Sequence, residues 1–326
     1  MSEQNILLKV ENLKMHFPAE STWFGKPTKF VKAVDGIDFQ IESGKTFGLV
    51  GESGCGKTTA GKCVLRIYEP TEGNIYYQGT DISKITESQL KPYRRSIQLI
   101  FQDPYGSLDP RQSVGSIVRE AVLADGKKKA EADVKARIEE LLTLVELDPS
   151  MAGRYPHEMS GGQRQRLGIA RALACEPKLI VCDEPVSALD VSIQAQIINL
   201  FESLQEKLGL TYLFIAHDLA VVRHIADTIA VMYLGHIVEM MDAGELYANP
   251  CHPYTKALLS AVPVTDYYTE QKRSRIVLEG EVPSPIHAPS GCPFHPRCRH
   301  AADLCKTQMP PLVDQGGGHF VACHNY

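Results

Sequence analysis

The sequence lacks several features that would assign it to a broad class of protein at once. It has no run of about 18 apolar residues, and its start does not combine a basic with an apolar segment, so neither a membrane-spanning helix nor a secretory signal is predicted. It has no excess of positive charge, with 34 Lys and Arg against 39 Asp and Glu, so no nucleic-acid partner is expected. The 326 residues are expected to form a soluble, cytosolic protein with two or three domains.

The sequence also lacks the closely spaced cysteine pairs of a zinc ribbon, although it has nine cysteines. Five are isolated and are expected to stay reduced, namely Cys55, Cys63, Cys175, Cys182 and Cys251. The other four, Cys292, Cys298, Cys305 and Cys323, are separated by 5, 6 and 17 residues. In a cytosolic protein such a cluster favours a metal over disulfides, and four thiolates suit a 4Fe–4S cluster. The nearby His295, His300 and His324 keep zinc as an alternative, and a metal-free tail is a third.

Residues 51–59 form a glycine-rich phosphate-binding motif. They match G-x-x-x-x-G-K-S/T without a mismatch and lie between a strand-like run at 46–50 and a helical pattern at 58–68. Glycines let backbone N–H groups turn toward phosphates, and the helix N-terminus adds a favourable dipole. We expect Lys57 to contact the β- and γ-phosphates and Thr58 to ligate Mg²⁺. The other nucleotide-binding candidates of this loop are Gly51, Ser53, Gly54, Cys55, Gly56 and Thr59.

A second buried strand is predicted at 178–184, where an apolar run ends in Asp183 and Glu184. In α/β proteins the carboxyl ends of strands build ligand sites. Asp183 is expected to help hold Mg²⁺, and Glu184 to orient or deprotonate the attacking water. The cofactors predicted beside the phosphate loop are therefore ATP and Mg²⁺.

Residues 159–166 form a glycine-rich turn that opens a helix. Ser160 can cap a helix that begins near Gly161, which leaves backbone N–H groups aimed at an anion. The segment has no hydrolytic side chain of its own, so it makes sense only if it completes a nucleotide site begun elsewhere. The two motifs together predict an ATPase that works as a pair.

Six motifs in a fixed order resemble those of the ATP-binding subunits of ABC transporters. They are the loop at 51–59, Gln102, the signature at 159–163, the strand ending in Asp183 and Glu184, the D-loop ending in Asp190, and the switch histidine His217. The resemblance implies that Glu184, His217 and Gln102 are catalytic, with Gln102 also touching Mg²⁺ or water. It implies that Ser160, Gly161, Gly162 and Gln163 face the γ-phosphate bound to the other subunit. It also implies that the Phe17 ring stacks on adenine, for which a core position in its strand is the alternative.

Further segments resemble the peptide importers. They lie at 107–111, 154–157, 183–192, 249–259 and 280–285, followed by the cysteine-containing tail. The chain is similar to one of the two ATPase subunits of a bacterial dipeptide or oligopeptide importer, the second more than the first. Some such subunits carry an iron–sulfur cluster in this tail.

That resemblance implies an ATP-hydrolysing motor at the cytoplasmic face of the membrane. The implied partners are a second, similar ATPase chain, two transmembrane permease subunits and an extracytoplasmic peptide-binding protein. The same machine importing nickel, glutathione, murein peptides or antimicrobial peptides is an alternative. So is a soluble ABC ATPase without transport, and a substrate-phosphorylating P-loop kinase is a further one.

The predicted fold is α/β, with a P-loop NTPase (RecA-like) core and a mostly parallel sheet. We expect the nucleotide-binding core at 1–108 and 173–245, an inserted helical subdomain at 109–172, and a loop-rich appendage at 246–326. Strands are predicted at 6–17 and 31–42, separated by a loop around Trp23. An amphipathic helix is predicted over 130–147.

Overall fold

The structure is a computed structural model that describes residues 5–21, 27–103, 105–262 and 275–326. Two compact units are present. One comprises Met1–Glu42, Thr46–Lys84 and Ile215–Tyr326, and the other comprises Ser43–Lys45 and Ile85–Phe214. The three-part division expected from the sequence stays a prediction. The loop expected around Trp23 lies outside the described residues.

Strands and helices alternate along most of the chain. The strands are β1 (Ile6–Ser21), β2 (Pro27–Glu42), β3 (Thr46–Val50), β4 (Glu72–Tyr77), β5 (Thr80–Asp81), β6 (Ile97–Ile100), β7 (Leu179–Asp183), β8 (Thr211–Ala216), β9 (Thr228–Tyr233), β10 (His236–Asp242), β11 (Val313–Asp314) and β12 (Phe320–Val321). The helices are α1 (Lys57–Val64), α2 (Glu87–Ser96), α3 (Val114–Leu123), α4 (Glu131–Leu144), α5 (Gly161–Leu173), α6 (Val191–Leu208), α7 (Leu219–Ile225), α8 (Ala243–Ala248), α9 (Pro253–Ser260) and α10 (Asp303–Thr307).

The first unit contains an antiparallel sheet in the order β2-β1-β4-β5. The side chains of β4 alternate, so that Ile75 and Tyr77 are buried while their neighbours are partly exposed. Both long strands were predicted, and each extends several residues farther toward the other than its apolar pattern indicated.

The first unit also holds the strands that carry the phosphate loop and the tail. They lie in the order β11-β12-β10-β9-β3, with β3 parallel to β9 and the other pairs antiparallel. All five residues of β3 are buried, as expected for a strand covered on both faces. The tail thus contributes two short strands to the same sheet as β3.

The second unit contains β6 and β7, which run parallel, and the first four residues of β8, which follows β7 in the strand order. Its helices α3, α4 and α5 pack on one another. In α4 the buried side chains are Val134, Ile138, Leu141 and Leu142, the spacing of one helical face. The predicted amphipathic helix is confirmed, with an end near Leu144 where the following turn begins.

The α/β class is confirmed by these elements. The predicted helix at 58–68 ends at Val64, because the chain turns at Leu65 and Arg66, whose φ is +53°. In the part of the chain that the structure describes, no helix is both long and apolar enough to cross a membrane.

Candidate functional site

The phosphate loop at 51–59 connects the buried strand β3 to α1 in the first unit. Gly56 precedes α1 with φ +108°, and a Cβ atom there would lie 2.0 Å from the Ala33 carbonyl oxygen. Only glycine fits that backbone conformation and that close approach. Ser53 and Gly54 are exposed at the tip, and Thr58 and Thr59 lie half-buried in the first turn of α1. The loop therefore presents its tip and a helix N-terminus on one side.

Lys57 is held over the loop by the loop's own backbone. Its Nζ donates to the carbonyl oxygens of Gly51 at 2.8 Å and Glu52 at 3.0 Å. The side chain is buried, with an exposed fraction of 4%. A buried ammonium group needs such partners, and this arrangement fixes its position within the loop.

Cys55 is also buried in the phosphate loop, with its Sγ 3.8 Å from Lys57 Nζ. Burial raises the pKa of the thiol, and the Lys57 charge offsets only part of that rise. A neutral, buried thiol is a poor nucleophile. Cys55 therefore behaves as a packing residue of the loop.

Phe17 and His217 also belong to the first unit. Phe17 is half-buried in β1, and its ring contacts that of Tyr68 edge-on, with centroids 5.2 Å apart. His217 is exposed directly after β8, and the next residue, Asp218, caps α7 by accepting from the Ala220 N–H. The short connection between β8 and α7, held by the Asp218 cap, therefore carries His217 at its exposed surface.

In the second unit, Gln102 and Glu184 are hydrogen-bonded. Gln102 Nε2 donates to Glu184 Oε2 at 2.9 Å. The two residues follow the parallel strands β6 and β7, whose carboxyl ends lie at the same edge. Asp183 is the last residue of β7 and is buried. Glu184 has φ +46°, which is unusual for a residue with a side chain.

The signature segment opens α5 with a reciprocal cap. Ser160 Oγ accepts from the Gln163 N–H at 3.3 Å, and Gln163 Oε1 accepts from the Ser160 N–H at 3.0 Å. Ser160 and Gly161 are exposed. The predicted helix start is confirmed, and it leaves backbone N–H groups at an accessible helix N-terminus.

The D-loop lies against the start of the signature helix within the second unit. A Cβ atom on Gly161 would lie 3.3 Å from Leu189 Cδ2, and one on Gly162 would lie 2.7 Å from Ile193 Cγ2. Asp190 stands at the exposed N-cap of α6. Both glycines thus allow two functional segments to approach closely.

The four tail cysteines form a group of interacting thiols in the first unit. Burial raises the pKa of Cys292 to about 11, and the thiols of Cys305, Cys323 and Cys298 push it in the same direction. Burial and neighbouring thiols likewise raise the pKa of Cys298 and of Cys323. The Cys292 N–H donates to the Cys305 carbonyl at 2.8 Å, which ties two of the segments together.

A separate cluster joins Glu239, Cys251 and His319, with one potential ligand atom of each within 4.8 Å of the others. Glu239 is fully buried, and its Oε1 accepts from the Cys251 N–H at 2.7 Å and lies 2.7 Å from His319 Nε2. Its Oε2 accepts from the His252 N–H at 2.9 Å. These hydrogen bonds join β10, the N-terminus of α9 and the tail.

Sequence reasoning missed the role of Glu52 in the phosphate loop and two residues that bind it. Arg297 pairs with Glu52, and the Tyr254 hydroxyl accepts from the Glu52 N–H. Arg297 of the tail and Tyr254 of α9 lie more than 200 positions farther along the chain. No local pattern marks such a contact, although an Arg beside a cysteine cluster was visible in the sequence.

Comparisons with known proteins agree with these motifs. The family descriptions "ABC transporter" and "Oligopeptide/dipeptide transporter, C-terminal region" match residues 34–187 and 238–305. The chain is 54% identical over 326 residues to the oligopeptide transport ATP-binding protein AppF of Bacillus subtilis, covering 100% of this chain and 99% of the relative. It is 48% identical to the oligopeptide transport ATP-binding protein OppF of Salmonella typhimurium, covering 99% of this chain and 97% of that one.

Solved structures show the same fold. The ATP-binding cassette MJ0796, in a dimeric post-hydrolysis state bound to ADP and Pi, matches with a TM-score of 0.65 and 26% identity, over 72% of this chain and 98% of that chain. The predicted P-loop NTPase fold is thereby confirmed. The chain belongs to the ABC transporter family of ATP-binding proteins, in the group of the oligopeptide transport subunits.

Proposed function

We propose that this chain is the ATP-hydrolysing subunit of a membrane importer of oligopeptides. The observation that carries this proposal is the match to oligopeptide transport ATP-binding proteins from end to end. The chain also has both parts that a paired ATPase needs, a phosphate loop and an exposed, capped helix N-terminus at the signature.

Each nucleotide site is proposed to use residues of two chains. Lys57 and the loop residues Gly51, Ser53, Gly54, Cys55, Gly56, Thr58 and Thr59 cradle the phosphates, and Phe17 stacks on adenine. Ser160, Gly161, Gly162 and Gln163 of the second chain, with Asp190, close the site over the γ-phosphate. The dimeric state of MJ0796 supports a paired arrangement.

The hydrolytic step is proposed to depend on Glu184. Its carboxylate orients the attacking water and accepts a proton from it, while Gln102, hydrogen-bonded to Glu184, fixes the position of the carboxylate. Thr58, Asp183 and Gln102 would hold Mg²⁺, which neutralises phosphate charge. His217 hydrogen-bonds the γ-phosphate and registers its loss.

Closure of the pair over ATP is proposed to move the helical segments around α3 to α5. These press on two permease subunits that span the membrane. Loss of the γ-phosphate removes the affinity difference that held the closed state. The chain would therefore work at the cytoplasmic face of the membrane, with a second ATPase chain, two permeases and an extracytoplasmic peptide-binding protein.

We also propose a 4Fe–4S cluster on the four tail cysteines. The proposal rests on the donor chemistry of the tail, because four thiolates are the ligand set of a 4Fe–4S cluster. The Cys292 N–H donates to the Cys305 carbonyl oxygen at 2.8 Å, which brings two of the four cysteine segments together. The tail lacks the closely spaced cysteine pairs of a zinc ribbon, which favours the iron–sulfur cluster over zinc.

Purification under nitrogen tests this cofactor. We expect a brown protein with roughly four iron and four sulfide ions per chain. Cys298→Ser should lower both, whereas Cys175→Ser should lower neither. A colourless protein with one zinc per chain would establish zinc, and a colourless protein with four titratable tail thiols would exclude both metals.

Co-purification tests the transport function. The chain is expressed with the permease and ATPase genes next to its own, isolated by a tag, and assayed with and without peptide-loaded binding protein. We expect elution with two membrane subunits and a second ATPase, and hydrolysis that peptide stimulates. If only nickel, glutathione or an antimicrobial peptide stimulates hydrolysis by the complex, the chain is still an importer subunit, but its transported substrate is a different one. Elution alone, with unaffected activity, would favour a soluble ABC ATPase.

A further inference from the structure

The C-terminal tail forms an ion pair with the phosphate loop. Arg297 donates to the two carboxylate oxygens of Glu52 at 2.8 and 3.3 Å. The pair is well shielded, since the Arg297 side chain is 7% exposed and that of Glu52 is 28% exposed. A bidentate, partly buried pair is directional and strong compared with surface pairs. It therefore holds Glu52 in one place.

A second contact fixes the backbone of the same residue. The Glu52 N–H donates to the Tyr254 hydroxyl at 2.9 Å. Tyr254 is fully buried, and its ring packs against those of Tyr233 and Phe294 at centroid distances of 4.7 and 5.4 Å. Phe294 lies in the tail between two of the cysteines. The packing of these three rings therefore holds both the tail segment at Phe294 and the Tyr254 hydroxyl in place.

Glu52 is also the residue that holds Lys57, through its backbone carbonyl. Its side chain places a negative charge inside a loop built to receive phosphates, where it would repel them if it were not neutralised. Arg297 supplies the opposite charge at hydrogen-bonding distance. Arg297 of the tail therefore binds the side chain of Glu52, and Tyr254 of α9 binds its backbone.

We propose that Arg297 and Tyr254 are positioning residues of the nucleotide site, which neutralise and orient Glu52 so that the phosphate loop binds ATP. This inference rests on the proposed role of the loop as an ATP site. It makes the tail part of that site. Affinity for ATP, more than the rate of the hydrolytic step, depends on these contacts.

Two measurements test the proposal. One is the affinity of the full chain for a fluorescent ATP analogue, and the other is the KM and kcat of the assembled complex. We expect Arg297→Gln to weaken binding and raise KM about tenfold with kcat within about twofold, because it leaves the Glu52 charge beside the phosphates. Arg297→Lys should be intermediate, since it keeps the charge and loses the fork. Tyr254→Phe should raise KM in the same direction.

The double variant Glu52→Gln, Arg297→Gln separates this mechanism from a loss of folding. We expect its affinity to return to within about threefold of the unaltered chain, because the repelling charge is gone. The matched control is Arg299→Gln, an exposed tail arginine paired with Glu279, which should change nothing. Normal affinity in a folded Arg297→Gln chain would overturn the proposal, as would a double variant no better than the single one.

Lys57→Ala distinguishes this proposal from the proposed function. If the unaltered chain and Lys57→Ala bind the analogue equally, the loop is not the ATP site and the function fails. If Lys57→Ala abolishes binding while Arg297→Gln does not alter it, only the positioning role fails.

Discussion

At the scale of single residues, the unusual backbone of Glu184 is informative. A side chain at φ +46° is held there by its surroundings, and such conformations concentrate at functional sites. Its carboxylate accepts from Gln102, and its carbonyl accepts from the Ser187 N–H and hydroxyl at 3.3 and 3.1 Å. The site therefore fixes the group proposed to orient water before any substrate arrives.

Glu184→Gln should leave ATP binding intact and slow hydrolysis by at least about 100-fold. The amide keeps the shape and the contact to Gln102 but cannot accept a proton from water. Single-turnover hydrolysis and equilibrium ATP binding measure the two effects separately. Glu206→Gln on the exposed side of α6 is the matched control and should behave as the unaltered chain does. Normal turnover in Glu184→Gln would contradict its role.

His252 makes stability depend on pH. It is buried at the N-cap of α9, its Nδ1 accepts from the Tyr254 N–H at 3.1 Å, and burial lowers its pKa to about 3. Below pH 6.5 the unfolded chain binds a proton here that the folded chain does not. The free energy of unfolding therefore falls as the pH drops through the window from about 6.5 to about 3, by up to about 1.4 kcal/mol per unit.

His252→Asn should remove that part of the pH dependence while keeping the cap, because Asn is a favoured N-cap residue. Denaturant unfolding at pH 7 and pH 5 measures it, and the variant should lose roughly 2 kcal/mol less than the unaltered chain over this interval. The same replacement at the exposed His287 serves as the control. Equal losses in all three chains would show that His252 does not carry the effect.

At the scale of elements, the sequence predicted those features that are formed by residues close together in the chain. The cap formed by Ser160 and Gln163 joins positions three apart, and the phosphate loop lies between adjacent elements, so local patterns suffice. The approach of α5 to α6 at Gly162 and the pairing of Glu52 with Arg297 depend on the folded chain. Positions far apart in sequence leave no periodic signal, so neither contact was predicted.

Gly162→Ala should weaken the packing of α5 on α6. The added Cβ atom would lie 2.7 Å from Ile193 Cγ2, so Ile193 or the helix must shift, which costs about 1–3 kcal/mol of unfolding free energy. Adding Ile193→Ala removes the obstructing methyl group and should recover part of that unfolding free energy.

Gly168→Ala is the control within the same helix. A Cβ atom there meets nothing within 4 Å, so helix propensity should make this change neutral or stabilising by up to about 1 kcal/mol. Thermal unfolding and ATPase activity of the complex compare the three variants. Equal stability of Gly162→Ala and Gly168→Ala would contradict the close approach.

At the scale of the whole molecule, three separate sets of contacts connect the tail to the core. Its strands β11 and β12 extend the sheet beside β10, the buried Glu239 holds His319, and Arg297 pairs with Glu52 in the phosphate loop. Cys298 directly follows Arg297, and Cys292 closely precedes it. A change at the cysteines can therefore reach the phosphate loop through Phe294 and Tyr254, and most directly through Arg297.

Removal of the proposed metal should lower the affinity for ATP through Arg297. Chelator treatment frees four thiols, whose segment is then held less firmly, so Arg297 should neutralise Glu52 less completely. Binding of a fluorescent ATP analogue should weaken several-fold in the unaltered chain. It should not weaken further in Arg297→Gln, because that variant has already lost the connection. Equal additional losses in both chains would mean that the cysteines and the phosphate loop are coupled by another route, or only through general stability.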